Sequence, residues 1–352
     1  MNLLVALIAA CLAEKSDAWG PDGKQPLRAE TVASGLEVPW SFAFLSGGDV
    51  LVSERPGRVR LLHQGKLQQQ PVLTVETGET SEGGLLGIAV NPRDASQLFL
   101  YVTVPGPRNE LQRWKLAADH RSASREKTLL TGIAAHAFHD GGRIRFGPDG
   151  ALYVGTGDAR QPARSQNPKS LNGKLLRVTP DGEASVFLNG IRNLEAFDWL
   201  DDSTLVLADH GPSGEMGRSA HDEVSVAHKG DNLGWPDIYG CEEKQGMVAP
   251  LITWTEHALP PGGLAVYRGT AIPAFRDSVL IATLGSEHLH RVVLAPDRAA
   301  VKLHEVYFRQ KFGRLREIAM TPSGELWVTT SNCDGRGECG AQKDRILRVV
   351  PE

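Results

Sequence analysis

The chain has 352 residues, with 38 basic and 42 acidic side chains and a formal net charge of −4 at pH 7. This balance argues against a nucleic-acid partner held by a basic surface. Apolar residues make up 41% and charged residues 23%, which is typical of a globular protein and not of a disordered chain. The 38 glycines and 21 prolines predict many tight turns and no long helices.

The N-terminus carries an uninterrupted apolar run over residues 3–10, followed by Cys11 and a polar stretch. The run is too short to span a bilayer as a helix. It is typical of a signal peptide, and its small-small-Cys ending resembles a bacterial lipoprotein signal. Because no Lys or Arg precedes the run, an ordinary buried N-terminal segment stays open. We predict a leader and linker over residues 1–26, one domain over 27–352, export to the periplasm or cell envelope, and a lipid anchor at Cys11. No other stretch is long and apolar enough to predict a transmembrane helix.

The four cysteines do not form a zinc-binding CxxC pattern. Cys333 and Cys339 lie in one glycine-containing loop, and an oxidising compartment would favour a disulfide between them. Cys241 then has no obvious partner if Cys11 carries a lipid. Pairing is not fixed by the sequence.

From residue 40 onward, one pattern recurs six times: an apolar strand, a turn, and a second strand of alternating polarity. The copies are residues 40–54, 86–104, 144–156, 196–209, 264–283 and 318–330. Third strands are predicted at residues 58–62, 173–178, 290–294 and 345–349. This internal repeat predicts an all-β fold, a six-bladed β-propeller of four-stranded antiparallel blades, with residues 31–36 closing the ring. A large β-sandwich or a solenoid is the alternative.

Polar residues converge in the loops beside the predicted inner strands. His139 lies in the densest cluster, residues 136–143, and a histidine there can act as a general base because its pKa is near physiological pH. A surface histidine is the ordinary alternative. Arg192, followed by Asn193, can bind carboxylate or phosphate through its planar guanidinium, or form a salt bridge between blades.

Two further segments, a loop and a strand, contain groups that can bind a ligand. The backbone carbonyls of Gly211 and Pro212 are oxygen donors of the kind that calcium prefers. Arg314 and Arg316 lie two positions apart on an extended strand, so their side chains share one face. With Arg192 they can surround an anionic ligand, although a solvated basic face is the ordinary explanation.

Several motifs occur in a fixed order along the chain. They are GLEVPWSFAFLSGGDVLVSERPGRVR (35–60), EGGLLG (82–87), HDGGRIRFGPDGALYVGTGD (139–158), SLNGKLLRVTPDG (170–182), GIRN (190–193), DHGP (209–212), DEVSVAHKGDNLGWP (222–236) and GRLREIAMTPSGELWVTTSN (313–332). In these motifs, from about Thr31 to the C-terminus, the chain resembles the soluble pyrroloquinoline quinone (PQQ)-dependent sugar dehydrogenases, the glucose/sorbosone and aldose dehydrogenase family. The family fold is a six-bladed β-propeller.

The resemblance implies PQQ and calcium as cofactors. It implies oxidation of an aldose at C1 to the lactone, with electrons passed to an external acceptor, a quinone or a redox protein. The residues that it assigns are His139 as the base, Arg192 and Asn193 facing the quinone oxygens, Gly211 and Pro212 as calcium-binding carbonyls, Arg314 and Arg316 neutralising cofactor carboxylates, Trp254 near the cofactor, and Glu223 as a ligand of a second, structural calcium ion.

This sequence departs from the family pattern near the cofactor. Gly285 stands at or near the position where many members have a lysine that contacts the cofactor. We expect His288 or Arg291 to compensate for the missing ammonium group.

Other departures concern the sugar. Residues 194–196 read Leu-Glu-Ala in place of Pro-Gln-Gly, Glu82 replaces a sugar-contacting glutamine, and Phe138 replaces an acid of the glucose enzyme. They predict a different or broader sugar preference. A non-catalytic ligand-binding propeller and a calcium-dependent lactonase are the alternative functions, and convergent arginines argue against a cation-only lactonase site.

Overall fold

The computed structural model describes residues 11–78 and 81–352. Two strands precede the first blade: β1 (Leu12–Glu14) and β2 (Leu27–Leu36). The rest of the described chain forms six sheets in sequence order, each one a blade. Blade one contains β3 (Pro39–Phe44), β4 (Val50–Glu54), β5 (Arg58–His63), β6 (Lys66–Leu67) and β7 (Leu73–Thr74). Blade two contains β8 (Leu85–Asn91), β9 (Asp94–Val104), β10 (Arg108–Leu116) and β11 (Ala123–Ala134). Blade three contains β12 (Gly141–Phe146), β13 (Leu152–Thr156), β14 (Lys174–Val178) and β15 (Ala184–Asn189).

Blades four to six follow the same antiparallel order. Blade four contains β16 (Leu194–Trp199), β17 (Thr204–Asp209), β18 (Glu223–His228) and β19 (Ile252–Trp254). Blade five contains β20 (Pro261–Val266), β21 (Val279–Thr283), β22 (Leu289–Leu294) and β23 (Val301–Tyr307). Blade six contains β24 (Leu315–Met320), β25 (Leu326–Thr330) and β26 (Asp344–Pro351). The first strands of the blades contact one another in a closed ring, so they surround the axis. The predicted six-bladed propeller is confirmed, and each repeat copy supplies the first two strands of a blade.

The ring is closed by the N-terminal strand β2, which forms the outer strand of blade six. It pairs antiparallel with β26, from Leu27 opposite Pro351 to Leu36 opposite Asp344. This pairing joins the two ends of the propeller in one sheet, as the sequence predicts for residues 31–36.

Residues 11–26 are part of the folded unit, which corrects the predicted boundary at residue 26. β1 runs parallel to β19 as an extra strand of blade four, with Leu12 opposite Ile252. Cys11 forms a disulfide with Cys241, so its sulfur is not available for the predicted lipid anchor. The predicted apolar leader, residues 1–10, lies outside the described residues. The second disulfide, Cys333–Cys339, agrees with the sequence prediction.

Helical segments are few and short. Among residues 11–78 and 81–352 they are α1 (Ala163–Gln166) and three 3-10 turns, Ser46–Gly48, Glu215–Gly217 and Pro273–Phe275. Within the described parts of the chain, no helix has the length and apolar character needed to cross a membrane.

Apolar clusters between neighbouring blades form the core, and a charged network closes the axis. One cluster contains Leu61 of blade one and Leu100 of blade two, both almost fully buried. On the axis, Arg143 is fully buried; it donates to the Glu195 carbonyl at 2.7 Å and the Gly262 carbonyl at 2.9 Å and pairs with Glu317. These contacts join blades three, four, five and six, and Glu195 also lines the site described next.

Candidate active site

A cavity of about 250 Å³ lies where the inner strands begin, at one end of the axis. It brings together seven of the nine predicted site residues: His139, Arg192, Asn193, Gly211, Pro212, Arg314 and Arg316. A larger cavity, of about 400 Å³, lies where the inner strands end and contains none of the predicted residues. We therefore take the smaller cavity as the candidate site.

His139 is the central titratable group of the cavity. Its Nδ1 lies 2.7 Å from Oδ1 of the buried Asp158, whose Oδ2 accepts the indole N–H of Trp235 at 2.9 Å. An acceptor at Nδ1 leaves Nε2 as the basic nitrogen of a neutral imidazole.

The backbone at His139 has a φ of +66°, an unusual conformation for a non-glycine residue. The following Gly141 permits the tight approach of β12 to β13, since a Cβ there would lie 2.6 Å from the backbone of Thr156.

Arg192 and Asn193 are fixed by one carboxylate beneath them. Their backbone N–H groups donate to Asp209 at 2.7 and 2.8 Å, and burial raises the pKa of Asp209 although these bonds oppose the shift. The Arg192 guanidinium lies 5.7 Å from the Trp235 ring centroid. Its buried Nε has no hydrogen-bond partner among the residues that the structure describes. This N–H therefore has hydrogen-bonding capacity that the described residues do not use.

Arg314 and Arg316 are held together by Asp334. Arg314 Nε donates to Asp334 Oδ2 at 2.8 Å, and Arg316 Nη2 lies 3.6 Å from the same atom. Burial raises the pKa of Asp334, but the two guanidinium groups lower it by more, so its pKa is below the usual value. Arg316 Nη1 also donates to Glu195 at 2.9 Å. The pair is therefore a rigid, buried cationic wall.

The Gly211–Pro212 turn forms the opposite wall. The Gly211 N–H donates to Asp222 at 2.9 Å, and a Cβ at Gly211 would lie 2.0 Å from the Ala220 carbonyl oxygen, so the position requires glycine. Behind the turn, burial and then the Asp209 and Asp222 carboxylates raise the pKa of Glu223 well above its usual value. Across the described residues, no group of three or more His, Cys, Asp or Glu side chains is arranged to hold a metal ion.

Trp254 does not line the cavity, which corrects the prediction that it lies near the cofactor. It is on β19, an outer strand, where its indole N–H donates to the Trp19 carbonyl and its ring lies 4.9 Å from that of His290.

His288 and Arg291 also lie outside the cavity lining. His288 Nε2 is 3.1 Å from Nδ1 of His290, and Arg291 pairs with Glu305 at 2.9 Å. Neither residue lines the cavity, which argues against the expectation that one of them replaces the missing lysine.

Three residues of the site were missed by the sequence analysis. Asp158 ends a quoted motif, but only the fold places it against His139. Arg336, between the cysteines of the second disulfide, lines the cavity and pairs with Glu82 at 2.9 Å; the Glu82 carboxylate also accepts the His139 backbone N–H. Glu215 contacts both Arg192 and His139. Its position between glycines gave no sequence signal for this role.

Comparison with known proteins identifies the family. The model of the glucose/sorbosone dehydrogenase family matches residues 36–347. The chain belongs to this family. It is 25% identical to the aldose sugar dehydrogenase of Escherichia coli K12 over 369 aligned positions, which cover 92% of this chain and 93% of the relative. It is 27% identical to an uncharacterized protein of Synechocystis, over 88% of this chain and 85% of that one.

Among solved structures, the chain is similar to the PQQ-bound form of aldose sugar dehydrogenase from Streptomyces coelicolor. That structure superposes with a TM-score of 0.83 at 33% identity, covering 95% of this chain and all of the other. The resemblance to the PQQ-dependent sugar dehydrogenases predicted from the motifs is confirmed.

Proposed function

We propose that this protein is a PQQ- and calcium-dependent dehydrogenase that oxidises aldoses at C1 to the lactone and passes the electrons to an external acceptor, a quinone or a redox protein. One observation carries the proposal. A histidine whose Nδ1 is engaged by a buried carboxylate opens onto the same small cavity as Arg192, Arg314 and Arg316.

The residues of the cavity fit PQQ, an ortho-quinone with three carboxylates. Arg192, Arg314, Arg316 and Arg336 line the cavity, and the buried Arg192 Nε lacks a partner within the described chain. Guanidinium groups bind planar carboxylates well because they donate two parallel hydrogen bonds. When bound, PQQ would accept the hydride from C1 of the sugar.

The chain's own residues would handle the proton and the charge. His139 Nε2 would take the proton of the C1 hydroxyl as the C1–O bond gains double-bond character. Asp158 would stabilise the imidazolium that forms, as a buried carboxylate does when it accepts from Nδ1–H. Arg192 and Asn193 would face the oxygen atoms on which negative charge develops, and fixed donors of this kind lower the barrier.

Calcium would bind the carbonyl oxygens of Gly211 and Pro212. Asp222 supports this by fixing the Gly211 N–H, which orients the turn. Backbone carbonyls are suitable donors for this hard cation, which polarises a bound oxygen as a Lewis acid. Glu223 stays our proposed ligand for a second, structural calcium ion.

Export is also part of the proposal. Two disulfides, Cys11–Cys241 and Cys333–Cys339, are typical of a protein that folds in an oxidising compartment such as the periplasm. Glu82 lines the cavity, and the exposed Phe138 ring lies 5.5 Å from the guanidinium of Arg336, which also lines it. Both residues support a sugar preference different from that of the glucose enzyme.

The test is reconstitution of the purified protein with PQQ and calcium, followed by dye reduction with a panel of aldoses. The decisive variant is His139→Asn, because Asn tolerates the positive φ of this position better than most residues. His63→Asn, at a half-exposed site on blade one, is the matched control. We expect aldose-dependent reduction in the wild type and in His63→Asn, and its loss in His139→Asn. PQQ binding without sugar oxidation would favour the non-catalytic binding propeller, and lactone hydrolysis without dye reduction would favour the lactonase.

A further inference from the structure

A short surface segment places one carboxylate against two residues of the candidate site. Glu215 begins the 3-10 turn Glu215–Gly217, and its Oε1 lies 2.7 Å from Arg192 Nη2 and 3.4 Å from His139 Nε2. The same oxygen accepts a hydrogen bond from Arg160. Three cationic or titratable groups therefore converge on one carboxylate.

The turn stays at the surface while its carboxylate points inward. The Glu215 side chain is 9% exposed, whereas the next residue, Met216, is 56% exposed. Burial raises the pKa of Glu215, but the Arg192 guanidinium and the backbone N–H groups of Ser213 and Glu215 together lower it to about 2. The carboxylate is thus ionised throughout the physiological pH range and forms a strong pair with Arg192.

Besides this carboxylate, the segment is anchored at its end by Arg218, which donates to the Pro236 carbonyl at 3.2 Å and lies 4.7 Å from the Tyr239 ring centroid. Gly214 and Gly217, on either side of Glu215, have φ values of +105° and +72°, and no atom lies within 4 Å of the position that a Cβ would take at either glycine. A backbone hydrogen bond from Gly214 to Arg218, 2.8 Å long, closes the turn on itself. An outward swing of the segment therefore has to break the contacts of Glu215 with Arg192 and His139 and the 3.5 Å contact between Arg192 Nη2 and Ser213 Oγ.

The contacts of Glu215 and those of an anionic ligand exclude each other. Arg192 is 2% exposed, so only a group inside the cavity reaches its guanidinium. His139 Nε2, the nitrogen that would take the substrate proton, faces the Glu215 carboxylate at 3.4 Å. A ligand that hydrogen-bonds Arg192 Nη2 or His139 Nε2 has to displace the Glu215 carboxylate.

We propose that Glu215 is a gating residue whose carboxylate competes with a polyanionic quinone cofactor for Arg192 and His139, and that the segment 213–218 swings outward when the cofactor binds. This inference rests on the proposed function, because it takes the cavity as a quinone site. Two consequences follow. Binding is weakened by the contacts that Glu215 has to give up, and its rate is limited by how often the segment opens.

The experiment is stopped-flow binding of PQQ in the presence of calcium, followed by tryptophan fluorescence, since Trp235 lies beside Arg192. Glu215→Gln removes the charge that competes for Arg192, and Glu215→Asp keeps the charge on a shorter side chain. Glu126→Gln is the matched control, because Glu126 on β11 of blade two pairs with Arg113 at 2.8 Å and lies outside both the 213–218 segment and the cavity lining. All four proteins are compared at low salt and at high salt, where long-range attraction is screened.

We expect Glu215→Gln to bind PQQ about tenfold more tightly than the wild type, and to keep this advantage at high salt. The observed rate should level off with PQQ concentration in the wild type and rise linearly in Glu215→Gln. Glu126→Gln should match the wild type, and Glu215→Asp should lie between the wild type and Glu215→Gln. Equal or weaker binding by Glu215→Gln would overturn the gate, and so would an advantage that disappears at high salt. Failure of every protein to bind PQQ would remove the proposed function together with the gate.

Hydrogen exchange on the wild-type protein provides a second readout that needs no variant. Addition of PQQ and calcium should accelerate exchange in peptides that cover residues 213–218 and slow it in the inner strands. Slower or unchanged exchange in that segment, with PQQ bound, would contradict the outward swing.

Discussion

The imidazole Nδ1 of His139 lies 2.7 Å from Oδ1 of Asp158. Asp158 is fully buried, and it also accepts the backbone N–H of Arg160 at 2.8 Å and the indole N–H of Trp235 at 2.9 Å. A carboxylate with this many donors fixes the ring orientation and keeps the Nδ1 proton in place. The basic nitrogen then faces the cavity.

Asp158→Asn should therefore reduce kcat strongly, because the amide stabilises the wrong tautomer and cannot stabilise the imidazolium. We expect a loss of roughly a hundredfold or more in kcat, by analogy with histidine–carboxylate pairs in hydrolases. Trp235→Phe, which removes one donor to the same carboxylate, should have a much smaller effect. Steady-state dye reduction at saturating aldose measures both. A loss of less than about threefold in Asp158→Asn would contradict this role.

The second disulfide should support cofactor binding. Asp334 and Arg336 lie in the loop that Cys333 and Cys339 close, and Asp334 holds Arg314 and Arg316. Replacing both cysteines with serine should loosen this cationic wall and raise the Kd for PQQ by about tenfold. The matched control replaces Cys11 and Cys241, whose disulfide joins the N-terminal segment to blade four. Similar Kd values for the two double variants would show that the loop has no specific role.

Restoring a cation at residue 285 should tighten PQQ binding. A Cβ at Gly285 would lie 3.3 Å from Pro260 Cγ and 4.0 Å from Arg314 Nη1, so a side chain fits after a small shift and starts at the cavity wall. Gly285→Lys should lower the Kd by about three- to tenfold through a charge-assisted hydrogen bond. Gly285→Met has a similar length without the charge and should not. If both variants weaken binding equally, the cavity lacks space there and the missing ammonium group is not the limiting factor.

Asp140 should make stability pH-dependent. Its carboxyl group is buried, one oxygen accepts from Asn109 and from the His136 backbone, and the other has no partner among the described residues. Burial raises its pKa to about 7 from the ordinary value of 3.8. Between these pH values the folded state retains a proton that the unfolded state releases, so the contribution of Asp140 to the free energy of unfolding falls as pH rises.

Asp140→Asn removes this titration and keeps the shape. The variant should gain stability relative to the wild type as the pH rises from 5 to 8, because every other titrating group cancels in the comparison. Denaturant unfolding at both pH values measures the difference. A difference that stays constant would contradict the raised pKa.

Most of the fold could be predicted from the periodicity of the sequence, because each blade is a local unit of short antiparallel strands. The period-2 pattern and the turns located the first two strands of every blade. Contacts between residues far apart in the sequence could not be predicted from this local pattern. The Cys11–Cys241 bond joins residues 230 positions apart, and Trp254 lies on an outer strand that no motif distinguished from an inner one.

The candidate site was predictable where residue type and motif both pointed to chemistry, as for His139 and Arg192. It was not predictable where the fold alone brings charges together. Glu215 comes from a surface turn and Arg336 from a disulfide loop, and their importance depends on contacts with distant blades.

The most direct test of the account is a single turnover with an aldose that carries deuterium at C1. Protein loaded with PQQ and calcium is mixed with the labelled and the unlabelled sugar, and reduction of the quinone is followed by absorbance while the sugar product is identified. The account predicts slower reduction with the deuterated sugar, a lactone product, and loss of reduction in His139→Asn. Product formation without quinone reduction, or reduction that is unaffected by His139→Asn, would contradict it.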